Sequence, residues 1–557
     1  MTLSRPWVGR LVPVVAVVAA WITLDLAGRG VQRRELAFSW QLVDLDVLGN
    51  DIAGSLWHLH TQPPLHNLLV GLVLAGPLPV DGTLFVLYGA TLVASALLLH
   101  DTLVRLGTGP IVAGVVAAFA LIQPGLLDTI YLMSYEVPVA TLLVGALWAV
   151  VRYMETPTMR WLLVIATILT LAALTRSLLH PVWVFMVLGV CWVAGRATKR
   201  QVLASAAIPV VLLGGWMAKN QLVYQTPTLS SWQGFNLQRG VVASMERDVV
   251  ERDVAQGHVS SLALEYPWGH PDDYAAWADG CRPEHHHAAA SATDKTPYGT
   301  LVPSNYNYEC LLPVYDQAGS DAVTLIRRHP GRYLSTRTAA LALSFDVPDF
   351  TGDDHPAYDM RSTWLNELML PLHLRVTHTI DMRDWNLPFY VLDEFVVKVS
   401  LLLVGCTLFL VGRGVLAAVR LARRWGDRGS WPLVPCPATF ALSTASQGRR
   451  SQGRRAQEGR SLSMPEDAAS GVTGRRGSSP MLPDRALHEV AWLVATITVL
   501  WVVVAGDLVE LGENSRFRAA LDPLLLALPL AALGRGIGEQ IARRRDPTTA
   551  VTGSGDS

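Results

Sequence analysis

Apolar runs alternate with polar breaks along most of this chain. The first, Val8–Leu26, is followed by runs near 65–78, 83–100, 110–126, 136–151, 161–175, 180–195 and 202–217, with three more after residue 390. Each approaches the ~20 residues a helix needs to cross a bilayer, or falls somewhat short of it. The pattern predicts an α-helical polytopic membrane protein of about 10–11 transmembrane helices. Val8–Leu26 is an uncleaved anchor in this reading, because Arg29, Arg33 and Arg34 follow it in place of a small-residue cleavage site.

Two polar stretches break the series. Residues 218–390 are rich in Asp, Tyr, Trp, Pro and His without low complexity, which predicts a folded external domain of mixed structure. Residues 420–486 carry Gly, Ser, Gln and Arg pairs such as Arg449–Arg450, the composition of a disordered cytoplasmic loop. The expected organisation is a bundle over 1–217 with its first external loop at 29–64, the external domain, a helix over 391–419, the loop, helices over 487–545 around an external turn at 507–518, and a disordered tail over 546–557.

Composition agrees with a membrane protein: 51% of the 557 residues are hydrophobic and 16% charged, with a mean hydropathy of +0.31. The net charge of -1 is segregated along the chain, so nothing points to a nucleic-acid partner. Placement of the basic residues carries more. Arg152, Arg160, Arg196, Lys199, Arg200, the 420–485 region and Arg543–Arg545 should all face the cytoplasm. Counting every block forward from a cytoplasmic N-terminus gives the opposite parity at Glu136. One early block must therefore be re-entrant, broken or wrongly split, and the suspect is 65–78, the shortest, ended by Pro77 and Pro79.

Cys281 and Cys310 are the two cysteines of the external segment and are open to pairing as a disulfide, or to remaining free. The run His285, His286 and His287 reads as a solvated loop rather than a metal site, since consecutive residues converge poorly on one ion.

Chemistry concentrates in the stretch DLDVLGNDIAGSLWHLHTQPPLHNLL, residues 44–69. It sets Asp44, Asp46 and Asp51, then His58, His60 and Gln62, at the mouth of the bundle, before a proline pair starts a helix. A carboxylate there can serve as general base, while capping of an interfacial helix is the alternative for each acid. A second stretch, GDLVELGENSRFRAALDP, places Arg516 and Arg518 at a membrane re-entry, where guanidinium groups match phosphate oxygens. Glu136 in SYEVPVATLL, Arg176 and His180 in LTRSLLHPVW, and the WMAKNQLVY segment lie at further helix ends. The segment after the last of these, through SSWQGFNLQRG, mixes polar and aromatic residues as sugar-binding surfaces and interfacial belts both do.

In their order these stretches resemble the GT-C class of membrane glycosyltransferases, of the protein O-mannosyltransferase and aminoarabinose transferase type. That class carries an Asp after its first helix and a His-Pro-Pro-Leu-Tyr-like re-entry; Gln62 and His66 stand here in place of the first His and the Tyr. The resemblance spans most of the membrane part, but neither the external domain nor the 420–485 loop. It implies transfer of a sugar from a polyprenyl-phosphate carrier to a glycan, lipid or protein acceptor on the outer face of the plasma membrane. It further implies Asp44 or Asp46 as base, Arg516, Arg518 and Arg176 on the donor phosphate, and His60, Gln62, Glu136 and Asp51 on the substrate. No metal ligand set is implied, and a divalent cation is left open. The alternatives are a transporter or lipid flippase, which would place charges near helix centres, and a non-catalytic envelope-assembly protein.

Overall fold

The computed structural model describes residues 6–26, 33–242, 244–265, 267–278, 280–346, 369, 370, 372–378, 395–426, 485–509 and 518–545. Among these, six helices are long and apolar enough to cross a bilayer: Trp7–Leu26, Val80–Arg105, Glu136–Glu155, Lys199–Tyr224, Leu401–Arg423 and Ala486–Leu508. The pair Pro110–Leu121 and Gly125–Tyr131, bent by 59°, makes a seventh if it acts as one broken span. Pro64–Leu74, Met159–Thr175 and Pro181–Ala194 are shorter apolar helices. The count of full-length spans is thus lower than the 10–11 expected, because several apolar blocks fold as short or broken helices.

Local sequence explains the breaks. Pro64, Pro110, Pro124 and Pro181 each stand in the first turn of a helix, where the missing N–H costs nothing. Thr198 and Gln201 close a capping box at the start of Lys199–Tyr224, and Gln225 ends that helix at φ 56°. Pro64–Leu74 has 11 residues and so rises only about 16 Å, roughly half the hydrocarbon thickness. As a straight helix it is too short to cross.

With that helix left out, the others alternate in direction and their ends sort by charge. Arg10 lies 3.8 Å from Asp101, Arg105 reaches Glu155 at 2.8 Å, Arg535 donates to the Leu106 carbonyl at 2.8 Å, and Arg420 is 4.0 Å from Glu489. One end of the bundle is therefore strongly basic. At the opposite end Tyr131 donates to the Trp21 carbonyl, Trp501 to that of Leu178, and Arg337 to that of Asp507. Backbones approach closely where the first helix meets Pro110–Leu121: a Cβ on Gly114 would sit 2.3 Å from the Gly9 carbonyl oxygen.

The polar segment packs on the second end. An aromatic core of Trp232, Phe235, Trp268, Tyr274, Tyr306 and Tyr315 gathers Gln233–Val242, Leu312–Arg328 and the short 3-10 turns between them, and Trp40 of the first loop joins it. Gly234 permits the contact, since a Cβ there would meet the Tyr315 carbonyl oxygen at 1.8 Å. Cys281 and Cys310 form a disulfide with Cα atoms 5.7 Å apart. His373–His378 pairs antiparallel with Phe395–Ser400, matching His373 with Ser400 and His378 with Phe395. The next helix therefore begins at Leu401, not near 391, and runs to Gly426 through the start of the expected loop. The rest of that loop and the C-terminal tail lie outside the described residues.

Candidate functional site

The first loop is built on caps. Asp44 precedes Leu45–Asn50, and its Oδ1 accepts the N–H groups of Asp46 and Val47, both at 2.9 Å. Asp51 caps Ile52–Trp57 through the Gly54 N–H at 2.8 Å. Asn67, in the short helix begun by the proline pair, reaches back with both ends of its amide. Its Nδ2 donates to the Gln41 carbonyl at 2.8 Å and its Oδ1 accepts from Val43 N at 3.0 Å. The backbone on either side of Leu42 is thereby fixed, and Trp40 and Gln41 are presented to the interior.

Asn307 holds the other half of the loop. Its Oδ1 accepts from His60 N, Thr61 N and Thr61 Oγ1, while its Nδ2 donates to the carbonyls of His58 and Ala289. His60 is fully buried, with Nδ1 2.7 Å from Ser231 Oγ and Nε2 3.0 Å from the Asn307 carbonyl. Burial, aided by the Lys219 charge, pushes its imidazole down to about 3. Gln62 follows after Thr61 and lines the adjoining cavity.

The facing wall comes from the bundle. Arg176 ends Met159–Thr175 in extended backbone, which turns its side chain across the helix end. Its guanidinium lies over the Tyr135 ring, 5.0 Å from the centroid. His180 caps Pro181–Ala194 by accepting from Val182 N at 3.3 Å and stacks on Trp501. The polar segment closes the space with Trp232, Gln233, Asn236, Leu237, Arg239 and Trp268.

Between these walls lies a cavity of about 440 Å³. Its polar and aromatic lining comprises two guanidinium groups, Arg176 and Arg239; the His180 imidazole and Ser177 hydroxyl; amide side chains, Gln41, Gln62, Gln233 and Asn236; and aromatic faces, chiefly Trp40, Tyr135, Trp232, Trp268 and Trp501. Trp40 and Trp268 stack at 4.9 Å and Trp232 meets Trp268 edge-on, so much of the aromatic wall is a packed unit. Such a site can bind an anion with a hydroxylated, partly apolar body. Among the described lining residues none is a carboxylate.

The structure brings together only part of the expected site. Gln62 and Arg176 line the cavity, and Glu136 is completely buried in the first turn of its helix, next to Tyr135. Asp44 is buried behind the wall, held by its cap and by the Thr296 N–H on Oδ2. Asp46 is exposed on the first turn of Leu45–Asn50, and Asp51 is exposed beside His287. His60 is enclosed in the loop's own hydrogen bonds and does not face the cavity. Arg518 is a correction: it is 1% exposed, pairs with Asp522 at 2.9 Å and donates to the carbonyls of Ser344 and Asp346, so its guanidinium braces the helix end and faces no ligand space. Arg516 lies outside the described residues.

Sequence reasoning passed over Arg239, Trp40 and Trp501. Arg239 sits inside the aromatic-polar run after Tyr224, which was the available signal; the two tryptophans are indistinguishable in sequence from an interfacial belt. In the histidine run His286 is exposed in a loop, while His285 and His287 are partly buried against His58. Among the described residues no group of three or more His, Cys, Asp or Glu side chains is arranged to hold a metal ion. Neither a protein-family model, nor a curated protein, nor a solved structure matches this chain.

Proposed function

We propose that this chain is a membrane glycosyltransferase of the GT-C class, moving a sugar from a polyprenyl-phosphate carrier to an acceptor hydroxyl at the outer face of the plasma membrane. The observation that supports this most is the cavity at the less basic end of the bundle, where Arg176 and Arg239 stand among tryptophans and amides. Guanidinium groups receive a phosphate, amides bond sugar hydroxyls, and aromatic faces cover the apolar faces of the ring. By the positive-inside rule that end is external.

In this reading the acceptor oxygen attacks the anomeric carbon as the bond from that carbon to the phosphate oxygen breaks. The electron pair leaves with the phosphate, where Arg176 and Arg239 stabilise it. The acceptor's proton passes to a carboxylate. Asp44 or Asp46 is assigned that role, Asp44 first: three of the about four acceptor positions on its oxygens are taken by backbone N–H groups, and since it lies behind the cavity wall the first loop must shift to bring the remaining one to the acceptor. The absence of a carboxylate from the described lining favours one second reading, a non-catalytic protein that holds a carrier lipid for envelope assembly.

Membranes holding matched folded amounts of wild type, Asp44→Asn and Arg176→Ala should be given radiolabelled polyprenyl-phosphate sugars. Wild-type-dependent transfer, lost in both variants, is the expected result. Retention of the donor by wild type without transfer would establish the second reading, and full transfer by Asp44→Asn would remove Asp44 as base.

A further inference from the structure

The disulfide Cys281–Cys310 closes a loop that bears on the first loop at four places. Lys295 donates to the Ser39 carbonyl at 2.7 Å, Thr296 N–H bonds Asp44, His287 Nε2 lies 3.3 Å from Asp51 Oδ2, and Asn307 holds His58, His60 and Thr61. The two loops form one jointed unit, and the first supplies Trp40, Gln41 and Gln62 to the cavity.

At the joint three imidazoles meet. The His58 ring lies 5.0 Å from that of His285 and 5.0 Å from that of His287, the latter nearly parallel at 18°. The outer two have carboxylate partners: His285 Nδ1 is 3.1 Å from Glu309 Oε2, and His287 faces Asp51. The middle ring meets Tyr224, whose hydroxyl lies 3.4 Å from His58 Nδ1 and donates to the His58 carbonyl at 2.9 Å. Lys219 bonds the Leu59 carbonyl close by, and buried His60 completes the ionisable groups around the joint.

We propose that His58, His285 and His287 form a proton-operated latch between the first loop and the disulfide-closed loop, shut when the imidazoles are neutral and released when they are protonated. Neutral rings stack without penalty. A proton on His58 puts an imidazolium between the rings of His285 and His287, with Lys219 beyond, in a half-buried site where repulsion is poorly screened. Burial and these same neighbours already hold His58 below the ordinary histidine range. Opening returns it to water and to its ordinary affinity for protons, so acid favours the open joint. This latch does not depend on the transferase reading.

Hydrogen exchange of the full-length protein in nanodiscs, corrected for intrinsic rate, tests it at pH 7.5 and pH 5.5. In wild type, protection over 285–296 and 55–61 should fall severalfold at the lower pH. His58→Phe keeps an aromatic ring and the backbone carbonyl but cannot titrate, and its protection should hold at both pH values. His287→Gln, which keeps a polar contact to Asp51, should reduce the response and serves if His58→Phe does not fold. Equal protection at both pH values in wild type would overturn the latch. So would the same loss in His58→Phe as in wild type, an outcome that moves the response to His60.

Discussion

The guanidinium of Arg176 lies over the face of Tyr135, 5.0 Å from the ring centroid, and both side chains line the cavity. The stack orients a planar cation that is 5% exposed, at the point where two helix ends meet. A phosphate there would meet a preoriented guanidinium. On the proposed transferase reading, Arg176→Ala should lower kcat/KM for a polyprenyl-phosphate sugar by about 10²–10³-fold, the usual cost of losing one preorganised charge partner. Arg176→Lys keeps the charge but not the planar stack, and should recover only part of it. Initial-rate kinetics on matched amounts of folded protein decide this.

Asn307 satisfies three donors and the His58 carbonyl across the joint, and the Ala289 carbonyl on its own side. Asn307→Ala leaves the buried His60 N–H and its neighbours without partners, at a cost of about 2–3 kcal/mol. Thermal unfolding in detergent should show a lower midpoint. An unchanged midpoint would mean that water takes over these bonds.

His60 gives stability a pH dependence with a definite sign. Its folded imidazole resists protonation down to about 3, whereas the unfolded chain takes the proton near 6.5. The stabilising contribution is therefore full above 6.5 and is lost as pH falls from there toward 3, by up to about 1.4 kcal/mol per unit. Chemical unfolding at pH 7 and pH 5 should differ by about 2 kcal/mol from this residue alone. His60→Gln should flatten that part of the curve; an unaltered slope would assign it elsewhere.

The disulfide closes a loop with a sequence separation of 29. Replacing both cysteines, Cys281→Ser with Cys310→Ser, should cost about 3–4 kcal/mol by the chain-entropy estimate. The effect should be concentrated in the polar segment. Proteolysis within 282–309 ahead of the bundle is the expected pattern, and simultaneous loss of both would count against it.

Gly234 lets Gln233–Val242 lie directly on Leu312–Arg328. Gly234→Ala must push those helices apart, at about 1–3 kcal/mol. Because Trp232, Gln233 and Asn236 share that helix region and the cavity wall, donor binding should weaken together with stability.

The sequence by itself determined the membrane class, the positions of the apolar helices and the charge asymmetry between their ends. Those properties are additive along the chain: hydropathy summed over a window and basic residues counted in a loop need no partner. It also singled out 65–78 as the shortest apolar block, and the structure forms only an 11-residue helix there. Only the tertiary structure decided what each polar side chain faces. Arg176 and Arg518 read alike in sequence, as arginines at helix ends, yet one lines a cavity and the other is consumed by Asp522 and two carbonyls. Asp44 reads equally as base or cap, and its partners at Thr296 and Lys295 lie some 250 residues away in sequence. Burial there pulls the Lys295 ammonium down to about 7 against the pull of Asp44. Hydrogen bonds and charge pairing act over a few ångströms in space and carry no trace in local periodicity, which is why the histidine joint and the cavity's far wall became visible only when the chain was folded.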